Sequence, residues 1–144
     1  MSFSYHIDPE YNCVAIVHAG NPGADETLSS LIAVIDDPAH RPGMNVLRDA
    51  RAIAIPADLG FGWFMNHSDA MTAANDRLGK CRLANLFSSA AGLGIGHQSE
   101  ALFSKPPVVR RTFIEAREAK RWLNLPDGYR LDLVPNDWSS PESV

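Results

Sequence analysis

The chain has 144 residues, of which 45% are hydrophobic and 21% charged, and a formal net charge of −4. That length suits one domain with a full core, and the composition is that of a soluble globular protein. The acidic balance supplies no global attraction to nucleic acid or anionic membrane, and no apolar run nears the ~18 residues that span a bilayer.

The N-terminal MSFSYHIDPE lacks the basic region and apolar core of a signal peptide, so a cytoplasmic location is expected. Phe3–Asp8 alternates apolar and polar residues, as a half-buried strand does. Pro9–Asn12 turns the chain. Cys13–Val17 is a more continuous apolar run, which predicts a more central strand paired antiparallel to the first. Gly20-Asn21-Pro22-Gly23 breaks it. Leu28, Leu31, Ile32 and Ile35 then form one helical stripe within Ala24–Asp37, with Asp25 and Glu26 in the first turn, where the helix dipole favours acids.

Met44–Ile55, MNVLRDARAIAI, lies between Pro42-Gly43 and Pro56 and reads as a buried strand. Its central charges, Arg48, Asp49 and Arg51, need partners or a place where the strand leaves the core. Asp49 and Arg51 are two apart, so they share a side of the strand; the plain reading is a structural ion pair, the functional one a binding role. Pro56 suits the first turn of a second helix running to about Asn75, with Asp58 near its positive end. Phe61, Trp63, Phe64 and Met65 crowd the first half of that helix. At about 100° per residue they spread too widely for one face, so at least one must meet something other than the sheet. A neighbouring helix, the tail through Trp138, a homodimer seam or an apolar ligand cleft could take it, and the homodimer is favoured.

Cys81–Phe87 alternates again, with Cys81, Leu83, Asn85 and Phe87 on one side. A helix over roughly Leu93–Ser104 follows, stopped by Lys105-Pro106-Pro107. Val108–Phe113 is a last short strand. Ile114–Asn124 is a helix with Ala116, Ala119, Trp122 and Leu123 as its core stripe, which predicts a buried Trp122. Residues 1–125 form the domain and 126–144 a surface tail, which Leu131, Leu133 and Trp138 could tack down. The order is β-β-α-β-α-β-α-β-α. It predicts an α/β fold with a mixed, mostly parallel sheet of about five strands flanked by about four helices.

Chemical motifs are sparse. Gly92-Leu93-Gly94-Ile95-Gly96 has no Walker lysine, so its small residues read as room for close helix packing. His6, His18, His40, His67 and His97 are scattered and form no metal pattern; His18, at a strand end, could face a cleft, but a hydrogen-bonded structural histidine is the favoured reading. Ser88 and Ser89 stand outside any nucleophile elbow and suit capping. Cys13 and Cys81 read as buried, inert thiols. Lys105, Arg110, Arg111, Arg117, Lys120 and Arg121 read as a solvated face with local ion pairs.

Three pieces carry a resemblance to the SpoIIAA-like family of the STAS superfamily, named from anti-sigma factor antagonists. They are VLRDAR at Val46–Arg51, the strand Cys81–Leu86 with its downstream glycine and helix, and the ending through Phe113, Ala119, Trp122 and Leu123. The resemblance covers about residues 3–125. It implies a STAS-like fold and, as in most members, no assigned enzyme activity. Antagonists of that family carry a phosphorylatable serine at the start of the second helix. Here that place reads Pro56-Ala57-Asp58-Leu59-Gly60: Asp58 matches the motif's acid, and the serines are missing. The expected function is therefore a non-enzymatic regulatory or protein-interaction module without a cofactor, acting through the surface near that helix start. The expected partners are a second copy, another protein or a small apolar ligand. The alternative is a small apolar-ligand or lipid carrier with a cleft lined by Phe61, Trp63, Phe64 and Phe87. The site residues this singles out are Asp49, Arg51, Asp58, Phe61, Trp63, Phe64, Ser88 and Ser89.

Overall fold

Alternating apolar side chains build the first hairpin. β1 (Phe3–Asp8) runs antiparallel to β2 (Cys13–Gly20), with Phe3 opposite His18 and Asp8 opposite Cys13. At the turn, an Asp8 carboxylate oxygen accepts from the backbone N–H groups of Glu10 and Tyr11. The computed structural model describes residues 3–131. After the hairpin come α1 (Glu26–Asp36), β3 (Asn45–Ile53), α2 (Phe61–Asn66), α3 (Ser68–Leu78), β4 (Cys81–Leu86), α4 (Ala90–Phe103), β5 (Val108–Phe113) and α5 (Ala116–Trp122).

The strands lie side by side in chain order, and β2, β3, β4 and β5 are all parallel. Crossovers of one hand between strands laid down in order must all fall on one face. The packing agrees. Val14, Ile16, Val46, Leu83 and Val108 meet Leu31, Val34 and Ile35 of α1 and Ala74 and Leu78 of α3. The alternate residues Cys13, Ala15, Leu47, Ala84, Leu86 and Phe113 meet Ala119 of α5 and Leu123 just past its end, with Leu125 and Leu131 beyond them. Helix α4 joins the first face and sits very close to the sheet. A Cβ on Gly92 would come within 2.6 Å of Phe87 Cδ1, and one on Gly96 would press into the Thr112 side chain. The glycine run is packing space, and it brings α4 down over the carboxyl ends of β4 and β5.

Several local expectations change. The second helix does not start at Pro56 or run unbroken. Residues 54–60 form a loop, Gly60 is fully extended, and the helix divides at His67, so the described residues hold five helices where about four are expected. The His67 ring stacks on Trp63 at 4.0 Å and its Nδ1 lies 2.8 Å from the Trp63 carbonyl, which fixes the bend. Helix α4 starts three residues earlier than expected, because the Ser89 hydroxyl caps it by accepting from Gly92 N–H at 3.0 Å. The tail through Leu131 packs on the second face, and Tyr129 donates to Asp8 at 2.9 Å. Leu133 and Trp138 lie outside the described residues.

Trp122 is half-buried, against the expectation of a buried one. It packs on Phe113 (5.6 Å between ring centres), and its outer surface is covered by the Arg82 and Arg111 guanidinium groups, 5.4 and 5.9 Å from the ring centre. A tryptophan seated at a rim loses less on truncation than the 3–5 kcal/mol typical of a buried one. Trp122→Ala is therefore expected to cost about 2 kcal/mol in urea unfolding. A loss as large as a core tryptophan's would place the ring deeper than it sits here.

Candidate functional site

The carboxyl ends of β2, β3 and β4 form a polar hollow beneath α1 and α4. Strand alternation makes it. Ile16, Arg48, Asn85 and Thr112 are register partners across four strands, so their side chains share the face covered by the crossover helices. The same alternation sends Asp49 and Arg51 to the opposite face. A cavity of about 50 Å³ opens here. On the scale of about 10–15 Å³ per enclosed water, that holds a few waters or part of a small molecule. Its polar wall is His18, Glu26, Thr27, Arg48, Asn85 and Ser99; its apolar wall is Ile53, Ile55, Leu59, Phe64, Phe87 and Ile95. The alternate residues Ile53 and Ile55 turn inward with Leu59, which explains why the 54–60 segment is a wall and not a helical turn.

His18 and Glu26 form the first buried pair. His18 Nδ1 lies 2.9 Å from Glu26 Oε2, and both residues are under 10% exposed. With Glu26 ionised the carboxylate can only accept, so Nδ1 carries the proton and Nε2 keeps a bare lone pair. Nε2 has no hydrogen-bond partner among the described residues. Burial, reinforced by the Arg48 guanidinium, lowers the His18 pKa from 6.5 to about 4 against the opposing pull of Glu26. The imidazole is thus neutral at neutral pH. Below pH 6.5 the unfolded chain takes up a proton that the native state refuses, so stability falls as pH drops from 6.5 to about 4 and levels off beneath. At about 1.4 kcal/mol per unit the loss reaches about 3 kcal/mol. Urea melts of the parent and of His18→Gln across this range should diverge in that direction; parallel curves would contradict a buried neutral His18.

Arg48 is the second feature. It is 6% exposed, and its Nη2 donates to the Thr27 carbonyl at 2.8 Å and lies 3.3 Å from Ser30 Oγ. Its Nε has no hydrogen-bond partner among the described residues. Burial, with the Arg110 guanidinium adding repulsion, lowers its pKa from 12.5 to about 9, so it stays charged at neutral pH. Arg110 is buried too, correcting its expected place on a solvated basic face. Its Nη2 donates to Asn75 Oδ1 at 2.8 Å.

The residues singled out in the sequence fall into separate places. Asp49 and Arg51 make a two-point ion pair, with Nε to Oδ1 at 3.0 Å and Nη2 to Oδ2 at 2.8 Å. Ser88 Oγ donates to the Arg51 carbonyl at 2.8 Å. That cluster locks a strand end and does not line the cavity. Asp58 is exposed in the loop, and Ser89 is a helix cap. Of the four proposed cleft aromatics, only Phe64 and Phe87 line the cavity. Trp63 is buried against its neighbours, its Nε1 donating to Asp25 at 3.0 Å, and Phe61 is 60% exposed. The chain matches no protein-family model and no curated protein at a significant level.

Among the described residues no group of three or more His, Cys, Asp or Glu side chains is placed to hold a metal ion, and no helix is long and apolar enough to cross a membrane. Burial pushes the Cys13 and Cys81 thiols up to about 12 and about 11, which keeps both neutral and unreactive at neutral pH. The sequence alone did not single out Glu26, Arg48, Asn85 or Ser99 as site residues. For Arg48 the signal was present in the alternation Val46-Arg48-Ala50.

Proposed function

We propose that this is a non-catalytic module that takes up a small molecule in the cavity at the carboxyl ends of β2–β4. One observation carries the reading: a hollow with a buried polar floor and an apolar wall, at the end of a parallel sheet where ligands of open α/β folds bind. The STAS-like order of elements fits a regulatory protein, and uptake of a ligand would be what it senses. Calorimetric titration of the full chain with hexanol tests the reading. Hexanol should bind the parent and lose its binding in Ala50→Leu, which fills the cavity from β3. Failure of the parent to bind hexanol or its anionic analogue would remove the reading.

A second reading, a protein-interaction module, is favoured by one observation: Phe61 and Met65 on α2 are 60% and 40% exposed. A homodimer through that face should appear in light scattering and be lost in Phe61→Glu. A monomer at high micromolar concentration removes the homodimer.

A further inference from the structure

We propose that the cavity's ligand is a monocarboxylate, its head held by Arg48 and its carbon chain lying along Phe64, Phe87 and Ile95. This rests on the ligand-binding reading above and names its chemistry. Arg48 is almost wholly buried, yet the two acceptors it reaches, the Thr27 carbonyl and the Ser30 hydroxyl, are both neutral. No carboxylate among the described residues is in ion-pair contact with it, and its Nε is unpartnered. Charges this deep are ordinarily paired.

The surroundings sharpen the need for an anion. Arg48 and Arg110 are both buried on the helix-covered face, where Glu26 is the buried carboxylate. The other buried acid, Asp49, is on the opposite face and committed to Arg51. His18 beside Arg48 is neutral. Two cations against one carboxylate leave a surplus of one positive charge, which a monoanion balances. A dianion would exceed that surplus while facing Glu26 across the same cavity. A planar carboxylate also matches the edge of a guanidinium, which favours it over a spherical ion. The apolar wall then requires a hydrocarbon body, since an inorganic anion would leave Phe64, Phe87 and Ile95 uncovered.

Titration calorimetry of the full chain with hexanoate, hexanol and hexyl phosphate tests this. Hexanoate should bind at least about tenfold more tightly than hexanol, the margin of a charge-assisted hydrogen-bonded pair. Arg48→Met should bring hexanoate down to the level of hexanol and leave hexanol unchanged. If that variant does not fold, Arg48→Gln serves the same comparison. Equal binding of hexanoate and hexanol to the parent would overturn the anionic head while sparing the ligand-binding reading. Tighter binding of hexyl phosphate would overturn the monocarboxylate. Undiminished hexanoate binding in both Arg48 variants would overturn the role of Arg48, and no binding of any of the three would overturn both the inference and the reading beneath it.

Discussion

Phe64→Ala is expected to destabilise the protein by about 3–5 kcal/mol, the range for removing a buried phenylalanine. Phe64 is 1% exposed, and its ring meets Phe103 at 5.7 Å and Trp63 at 5.7 Å, both edge-on. With Ala24 and Met71 it forms the small core that fastens α2 and α3 to the rest of the molecule. Few neighbours there can move into the gap, because α4 is already pressed on the sheet at Gly92 and Gly96. Phe61→Ala, three positions earlier on the same helix and 60% exposed, should change stability by no more than about 0.5 kcal/mol. Urea unfolding of the two variants side by side is the check. Equal effects would mean that α2 presents a different face to the core.

Arg48→Met should act in the opposite direction and raise stability by about 1–3 kcal/mol, the range in which apolar replacement of buried charges stabilises. The methionine fills the space of the arginine stem, and the uncompensated charge goes. What is lost is a bond to a helix carbonyl and a long contact with Ser30. The same substitution removes a cation that holds His18 down, so the His18 pKa should rise and the acid-side loss of stability should shrink. A gain in melting temperature with a loss of hexanoate binding is the behaviour of a group kept for a ligand. A strongly destabilised variant would instead make Arg48 a structural residue.

The order of the elements was legible because periodicity reports it directly. The hairpin, the parallel strands and the helices after them all follow from where apolar residues recur. Asp49 and Arg51 sharing a side, the glycines as packing space and the Ser89 cap were legible too, since each rests on local geometry. The cavity was not. Both faces of the sheet are covered, so alternation in β3 separates Arg48 from Asp49 without saying which side holds a hollow. Glu26 reads as a first-turn acid suited to the helix dipole. Only the meeting of α1 with β2 turns it onto His18. Arg110 was counted with its basic neighbours in the chain, although its strand partners Val108 and Thr112 point inward with it. The bend at His67 depends on one ring stacking on Trp63, which no period encodes.

A crystal structure of the protein grown with hexanoate tests the ligand site most directly. A carboxylate oxygen should lie about 3 Å from a nitrogen of the Arg48 guanidinium, the distance of a direct hydrogen bond, with the chain running out past Phe64 and Phe87. A hexanoate whose head points away from Arg48, or one bound only beside the exposed Phe61, would contradict the site described.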